Sequence, residues 1–347
     1  MAENSPIFKP PKTRRLVSAW MLREHTEHAF ERVSEFQDIF DQVILMCGRL
    51  GADGSLPPKW SAQSRKELVA RFGDLGVSVL NDFGGTWDNT FAEMSKSPKA
   101  IEAAVGNMIA DCEETGADGV DIDLEHLPSH ARFAYNDLLA RLSEGLHARN
   151  KMLSVCTYSP IPAYQRDWGP AFWDPSVIAR YADHLRPMTY DQFCPPSPIV
   201  GPTSTAPWGR ECMETLVAQV PRHKIVMGLP TYSVDWDMSD PTKSRQIYDH
   251  QFIAEREKES PIGRPSTPLG VTLSLPKGRA WISYWDVSLI RYTDAEGHPH
   301  LLWVSDGKST KSHLVTVDDL NLAGVCFWCL MGDDPAIWER VREQFRR

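Results

Sequence analysis

The sequence lacks any long hydrophobic run, and it lacks an excess of positive charge. None of the apolar stretches in its 347 residues approaches the ~18 to 20 residues of a membrane-spanning helix. The formal net charge is −9. Because nucleic-acid binding depends on neutralising phosphates, this charge argues against a nucleic-acid partner. We therefore expect neither a membrane nor a nucleic-acid partner, and a neutral substrate fits the charge better.

The N-terminal segment has little of the character of a secretory signal. A basic cluster at residues 9–15 is followed only by Leu16–Leu22 before the charged pair Arg23 and Glu24. This apolar segment is too short and too soon interrupted for the hydrophobic core of a signal peptide. The expectation is that the chain stays in the cytoplasm or that a leader has been removed, and the sequence does not decide between the two.

Cysteine is scarce. Seven residues, an odd number, are spread thinly over the chain, which argues against a disulfide framework. Cys326 and Cys329 have the CxxC spacing of a metal or redox site, but in a strand-like run residues three apart point to opposite faces. We interpret them as two buried thiols. His298 and His300 lack further ligands at suitable positions and are interpreted as a surface turn. The sequence thus predicts no metal and no cofactor.

Short β-rich segments alternate with helical patterns, which is typical of a parallel sheet built from βα units. One helix begins at Ser97-Pro98 and carries its apolar residues on one side. Eight strands with helices between them predict an α/β fold, a (β/α)₈ TIM barrel, which usually needs ~250 residues. The predicted strands are Arg15–Trp20, Gln42–Cys47, Val77–Phe83, Gly119–Glu125, Met152–Tyr158, Leu185–Tyr190, Lys224–Pro230 and Gly324–Leu330.

The chain is roughly a hundred residues longer than such a barrel typically needs. Most of the surplus lies between the seventh and eighth strands, where Ala280–Trp285 and His300–Val304 are two further strand-like runs. We predict a small α+β lobe over residues 234–311, inserted beside the mouth of a catalytic barrel formed by residues 15–233 and 312–347.

The fourth predicted strand carries three acids on one face. Side chains alternate along a strand, so Asp121, Asp123 and Glu125 lie opposite the apolar residues between them. If the apolar set packs under the helices, the acids line the barrel interior. Glu125 then lies ~13 Å above Asp121, at the C-terminal mouth where barrel enzymes keep their chemistry.

Burying these acids together forces at least one of them to hold its proton near neutrality. A proton-holding Glu125 at the mouth is a candidate general acid. The competing interpretation is a row of acids satisfied by basic partners or by a bound cation. Burial of three neighbouring acids is hard to explain by stability alone, which favours the catalytic interpretation.

The same arrangement limits the mechanism. A retaining glycosidase with two protein carboxylates places them ~5 to 5.5 Å apart, on either side of the scissile bond. Asp123 and Glu125 belong to one strand and approach from one side, so a nucleophile must come from elsewhere. The substrate's own 2-acetamido group can supply it.

At these residues the sequence resembles glycoside hydrolase family 18, the chitinase family. The DxxDxDxE signature of the family is met by Asp118, Asp121, Asp123 and Glu125. The likeness covers most of the chain after about Arg15. Three further segments resemble the family: Met188-Thr189-Tyr190-Asp191 its MxYD motif, Gly228-Leu229-Pro230 its seventh strand, and Trp328 the tryptophan that forms the floor under the sugar.

This resemblance implies a retaining, substrate-assisted hydrolysis. Glu125 would protonate the leaving glycosidic oxygen and then activate water. Asp123 would orient the acetamido group and stabilise the positive charge that develops on the oxazolinium ring, with Asp121 supporting it from below. Tyr190 would hydrogen-bond the acetamido group, and Asp191 would tune the site.

Two positions depart from the family pattern. The family's SxGG motif has Asp82 in place of serine, which leaves the charge balance of the barrel interior open. His126 follows Glu125 where an aromatic residue is common, which affects the leaving-group side of the cleft. Neither change removes a catalytic group.

Tryptophans are the further substrate-binding candidates, since sugar rings present apolar faces that indoles can cover. Besides Trp328, the candidates are Trp87, just beyond the third strand, Trp236, just beyond the seventh, and Trp20, at the end of the first. Packing is an equal alternative for each of these three. Met188 is included with them, although packing is its simpler role.

The preferred function is hydrolysis of β-linked N-acetylglucosamine in chitin oligosaccharides or peptidoglycan-like glycans. Gly324–Trp338 resembles the spore-cortex-lytic members of the family, which keeps a cell-wall glycan open. An endo-β-N-acetylglucosaminidase acting on N-glycans is a second enzymatic alternative. A sugar-binding lectin on the same barrel is a third, although such lectins usually lose the acid and Glu125 is present.

Overall fold

A computed structural model describes residues 14–57, 60–85, 89–125, 127–161, 173–195, 197, 199–259 and 278–346. Within these ranges, eight parallel strands form a closed barrel and five further strands form a separate sheet. The barrel strands are β1 (Leu16–Met21), β2 (Gln42–Arg49), β3 (Ser78–Gly85), β4 (Gly119–Leu124), β5 (Met152–Tyr158), β6 (His184–Met188), β7 (Val226–Pro230) and, last in the chain, β13 (Gly324–Trp328). They close in the order β1-β13-β7-β6-β5-β4-β3-β2. The predicted (β/α)₈ barrel is confirmed.

All eight predicted strands are present, and the differences lie at their ends. β4 ends at Leu124, where its pairing with Gly85 of β3 also ends. β6 ends at Met188, two residues before the predicted end. Glu125 and Tyr190 therefore lie in the loops at the C-terminal mouth rather than within strands, because inter-strand pairing stops before them.

Helices surround the barrel. α4 shows why the local sequence folds as it does: Ser97 caps it by accepting a hydrogen bond from the Ala100 amide, Pro98 occupies its first turn, and Gly116 ends it with a φ of 74°. The predicted start of this helix is confirmed. No helix in the described ranges combines the length and apolarity needed to cross a bilayer. The helices are α1 (Thr26–Glu35), α2 (Ala62–Asp74), α3 (Thr90–Met94), α4 (Pro98–Thr115), α5 (Arg132–His147), α6 (Pro175–Tyr181), α7 (Ala206–Val217), α8 (His250–Glu259), α9 (Gly307–Asp319) and α10 (Pro335–Phe345).

The barrel strands separate apolar from polar side chains by their alternation. Their outward residues pack with the helices in one large apolar cluster. The interior of such barrels is usually filled by branched apolar side chains, but here several inward positions are polar and fully buried. These are Ser18, Gln42, Asp82, Asp121, Ser154 and Arg186.

The insertion between the seventh and eighth barrel strands is a five-stranded sheet with the order β10-β11-β12-β8-β9. One face contacts the barrel mouth through an apolar cluster that includes Tyr190, Trp236 and Trp328. The predicted α+β insertion is confirmed, and the exact limits 234–311 stay a prediction. The strands are β8 (Ser233–Asp237), β9 (Arg245–Ile247), β10 (Arg279–Ile282), β11 (Val287–Thr293) and β12 (Pro299–Val304), and α8 packs against β11.

Thr231, at the junction of β7 and β8, connects the insertion to the end of β13. Its backbone N–H donates to the carbonyl oxygen of Trp328 at 2.8 Å. Its hydroxyl donates to the carbonyl oxygen of Cys329 at 2.7 Å. The start of the insertion is thereby held against the residues that follow the last barrel strand.

Two side predictions have opposite outcomes. Cys326 and Cys329 are buried free thiols, as expected. The surface turn at His298 and His300 is wrong for the second histidine: β12 begins at Pro299, and His300 is buried with its Nδ1 3.0 Å from Oδ1 of Asp235. The turn lies earlier, around Gly297, whose φ of 89° accommodates it.

Candidate active site

The acids of the fourth strand lie in the barrel interior and at its mouth. Asp121 is fully buried, Asp123 is 7% exposed, and Glu125 follows the end of β4 half-buried. Gly84 on the neighbouring strand permits this arrangement, because a Cβ there would lie 2.8 Å from the carbonyl oxygen of Asp123. The three acids therefore become less buried toward the mouth, in the order that strand alternation predicts.

Asp121 is held by donors from three other strands. Its Oδ2 accepts hydrogen bonds from the indole N–H of Trp20 at 3.1 Å and from the thiol of Cys156 at 3.2 Å. The Nε of Arg186 lies 3.5 Å from its Oδ1. These contacts place a stabilised acid directly below Asp123.

Asp123 carries a strongly perturbed carboxyl group. Burial raises its pKa well above the usual range, and the charges of Glu125 and Asp121 raise it further. A carboxyl group in this environment holds its proton more strongly than an ordinary aspartate. The acid row therefore contains a carboxyl group with a raised pKa, as the burial of neighbouring acids predicts.

Glu125 is oriented by a neighbouring strand. The phenol of Tyr158, the last residue of β5, donates a hydrogen bond of 3.0 Å to its Oε2. The carboxyl group therefore stands at the mouth and is oriented by a hydrogen bond from the protein. A group placed in this way can exchange a proton with a ligand bound at the mouth.

Tyr190 and Asp191 follow β6 at the same end of the barrel. Burial raises the pKa of Tyr190 well above its usual value, so its phenol stays protonated. Gly228 on β7 leaves room for it, because a Cβ there would lie 3.3 Å from Tyr190 Cε1. Asp191 has a left-handed backbone with a φ of 57°. Tyr190 is thus a neutral donor beside the acids.

Two residues hydrogen-bond the carboxylate of Asp191: Tyr232, immediately before β8, and Gln246, on β9. The phenol of Tyr232 donates to its Oδ1. The side-chain amide of Gln246 donates to the same oxygen at 3.1 Å. The MxYD motif and the insertion therefore form one hydrogen-bonded unit at the mouth.

The tryptophan candidates divide by exposure. Trp328 is partly exposed at the end of β13, its ring centroid is 6.0 Å from that of Trp20, and its indole N–H reaches Tyr248 Oη at 3.4 Å. Trp20 and Trp236 are each 1% exposed. Because neither presents a free face, the prediction of sugar contact is corrected to a packing role for both, with Trp20 also donating to Asp121.

The remaining candidates are Met188 and Trp87. Met188 is partly buried and packs in the apolar cluster that also contains Tyr190, Tyr232 and Trp328. Packing beside the candidate site is therefore its visible role. Trp87 lies outside the described residues. Within the described ranges, no group of three or more His, Cys, Asp or Glu residues could hold a metal ion.

Sequence reasoning missed several residues that contact the predicted acids. The position of Tyr158 could have predicted its role, because it is the last residue of a predicted barrel strand and such residues lie at the barrel mouth. Arg186 also had a signal in the sequence, as a charge inside a predicted strand. Tyr232 and Gln246 had none, because they reach Asp191 from 41 and 55 residues away in the sequence.

A closed (β/α)₈ barrel with carboxyl groups at its C-terminal mouth has the architecture of a barrel glycoside hydrolase. Residues 63–333 match the family described as Glycosyl hydrolases family 18. Because this match covers more than half of the chain, the chain belongs to that family, as its motifs indicated. It is therefore a glycoside hydrolase.

Two curated relatives come from Bacillus subtilis (strain 168). The glycosylase YvbX is 24% identical over 302 residues, which cover 84% of this chain and 79% of YvbX. The Cortical fragment-lytic enzyme is 24% identical over 246 residues, which cover 70% of this chain. The chain spans only 53% of that second relative's length.

Solved structures share the fold. The spore cortex-lytic enzyme SleL of Bacillus megaterium QM B1551 has a TM-score of 0.80 at 19% identity, with 97% of this chain and 75% of SleL covered. A chitinase from Chromobacterium violaceum ATCC 12472 has a TM-score of 0.81 at 19% identity, with 96% of this chain and 99% of the chitinase covered.

Proposed function

We propose that the protein hydrolyses β-linked N-acetylglucosamine glycans with retention of configuration and with the substrate's acetamido group as nucleophile. The observation that carries this proposal is the acid row of β4, in which Glu125 at the mouth lies above the more deeply buried Asp123. Two acids from one strand reach a glycosidic bond from one side, which suits a mechanism whose nucleophile belongs to the ligand.

In this mechanism each side chain has a distinct task. Glu125 protonates the leaving oxygen and later takes a proton from the attacking water. Asp123 orients the acetamido N–H, and the positive charge that forms on the oxazolinium ring favours the ionised form of Asp123 as the reaction proceeds. Tyr190 donates from its neutral phenol to the acetamido oxygen.

Asp191 and Trp328 complete the proposed site. The two donors on Asp191 Oδ1 orient its carboxylate at the barrel mouth. The partly exposed indole of Trp328 offers an apolar face to the sugar ring. Similarity to a Cortical fragment-lytic enzyme and to a chitinase supports peptidoglycan-like glycans and chitin oligosaccharides as the substrates to test first.

The test compares wild type with Glu125→Gln on chitooligosaccharides, peptidoglycan and an N-glycoprotein. We expect turnover to fall by ~10² to 10⁴ in the variant, the usual contribution of general acid–base catalysis, while sugar binding persists. Glu102→Gln, on an exposed position of α4, is the matched control. Equal turnover in wild type and Glu125→Gln contradicts the proposal.

Two further measurements test the mechanism, and the substrate comparison separates the alternative functions. NMR of the first products reports the anomer, and a thiazoline mimic of the oxazolinium ring should inhibit if the acetamido group takes part. Cleavage of the N-glycoprotein alone would favour an endo-β-N-acetylglucosaminidase. Binding of all sugars with no hydrolysis by wild type would favour a lectin.

A further inference from the structure

The barrel interior contains a carboxyl group and a guanidinium group, those of Asp82 and Arg186, that have no role in the mechanism proposed above. Asp82 on β3 pairs in register with Asp121 on β4. Register partners of adjacent strands point to the same face at a strand spacing of ~4.8 Å, so Asp82 adds a further acid beside the row on β4. Its side chain is 1% exposed.

Arg186 supplies a positive charge at the same depth. It is fully buried, and besides its ion pair with Asp121 it donates hydrogen bonds to Ser154 Oγ at 2.6 Å, to Ser18 Oγ at 2.7 Å and to Gln42 Oε1. These partners belong to β5, β1 and β2, so the guanidinium spans the barrel. The guanidinium group of arginine is positively charged in proteins in general.

Several other titratable groups near the acids are neutral at neutral pH. Burial raises the pKa of five nearby thiols and phenols, and it lowers the pKa of His184, which precedes Arg186 on β6, to about 4. These groups therefore add no charge to that of the carboxyl groups and Arg186. The thiols and phenols whose pKa is raised are those of Cys47, Tyr135, Cys156, Tyr190 and Cys326.

We propose that Asp82 and Arg186 are a compensating pair of positioning residues, whose opposite charges act on Asp121 and, through it, set how many protons the acid row of β4 holds. Asp82 brings one negative charge where the family motif has an uncharged serine, and Arg186 brings one positive charge through its ion pair with Asp121. Neither contacts the substrate. The catalytic part of this proposal rests on the proposed function.

The sign of each effect follows from electrostatics. Removing Arg186 makes ionisation of the acids harder, so both limbs of the pH profile of kcat/KM move to higher pH. Removing the charge of Asp82 makes ionisation easier, so both limbs move to lower pH. Each shift should be below one pH unit, because Asp82 and Arg186 lie beside Asp121 and act on the acids nearer the mouth from a greater distance. Removing both charges leaves the net charge unchanged and returns the limbs toward the wild-type position.

The experiment is a double-mutant cycle of Asp82→Asn and Arg186→Gln, with kcat/KM measured against pH on an aryl chitooligosaccharide. Arg186→Lys, which keeps the charge, should retain the wild-type limbs. Asp235→Asn removes a buried acid of the insertion and is the matched control, with limbs expected in place. Limbs that stay in place in both single variants, or shifts that add instead of cancelling, overturn the pair.

A purely structural role of Arg186 predicts a different pattern. Arg186→Gln would then lose stability, keep its pH limbs and gain nothing from Asp82→Asn. If Arg186→Gln does not fold, Asp82→Asn alone decides: limbs at lower pH support the pair, and unmoved limbs overturn it.

The pH dependence of Tm, measured on the same variants, needs no substrate. Opposite, cancelling changes in Tm with pH support the pair even if wild type cleaves none of the glycans, a result that would defeat only the proposed function. Hydrolysis by wild type without cancellation in either profile would defeat only the pair.

Discussion

Tyr158 donates a hydrogen bond of 3.0 Å from its phenol to Oε2 of Glu125. The donor ends β5 and the acceptor follows β4, so adjacent strands bring the two together at the barrel mouth. A hydrogen bond donated to a carboxylate stabilises its ionised form. In the proposed mechanism, Tyr158 therefore opposes retention of the proton that Glu125 gives to the leaving group.

Tyr158→Phe should consequently move the alkaline limb of the pH profile of kcat/KM to higher pH. The expected shift is up to about one pH unit, since one hydrogen bond contributes ~1 kcal/mol and one pH unit corresponds to ~1.4 kcal/mol. Steady-state kinetics from pH 4 to 9 measure it. An alkaline limb at the wild-type position shows that this hydrogen bond does not act on the reacting carboxyl group.

Asp123→Asn should change the pH dependence of stability. The folded protein keeps the Asp123 proton because of burial, whereas an unfolded chain releases it above pH ~4. The free energy of unfolding of wild type is therefore unaffected by this group below pH ~4. It falls as the pH rises toward the raised pKa in the folded state, by at most ~1.4 kcal/mol per pH unit. Asparagine cannot ionise, so its variant escapes this loss.

The Tm advantage of Asp123→Asn over wild type should accordingly grow from pH 4 to 7, while its turnover falls. Asp137→Asn, at an exposed position on α5, provides the control. Tm curves of wild type and Asp123→Asn that run parallel over this range would mean that Asp123 ionises in the folded protein as it does in the unfolded chain.

Trp328→Ala should weaken sugar binding. Loss of ~1.4 kcal/mol from one aromatic face corresponds to a ten-fold higher Kd. Calorimetry in a Glu125→Gln background avoids cleavage of the ligand. Trp281→Ala is the matched control, because Trp281 is also partly exposed but lies on β10 with Lys308 over its ring. Equal losses in the two variants would indicate a general effect of removing tryptophan.

Gly228→Ala should reduce both stability and turnover. The added Cβ would lie 2.6 Å from the carbonyl oxygen of Pro187, which is backbone and cannot turn aside, and 3.3 Å from Tyr190. Overpacking of this kind costs ~1 to 3 kcal/mol. Gly106→Ala, within α4 and with nothing near its Cβ, should instead stabilise by ~0.5 to 1 kcal/mol. Urea unfolding measures both.

Strand alternation was sufficient to predict the inward acids, because a period of two assigns every second residue of β4 to one face. It could not predict that the pKa of Asp123 is raised so far. That shift depends on the burial of Asp123 and on the nearby charges of Glu125 and Asp121, which are properties of the closed barrel rather than of one strand.

The partners of Asp191 show a second limit. Tyr232 immediately precedes the insertion's first strand and Gln246 lies on β9, and no local pattern marks them as neighbours of the MxYD motif. The exposure of a side chain is a third property that the sequence could not predict. Trp236 follows a barrel strand as a substrate-binding residue would, yet it is buried and its indole N–H donates to the carbonyl oxygen of Gly201. Loop paths decide such cases.

The hydrogen bonds of Thr231 to Trp328 and Cys329 have a consequence for protein engineering. A chimaera that exchanges the five-stranded sheet for that of a relative should be joined after residue 231, so that the native threonine remains beneath the graft. A junction placed before it would replace the threonine as well, and the backbone that carries Trp328 would lose these two hydrogen bonds.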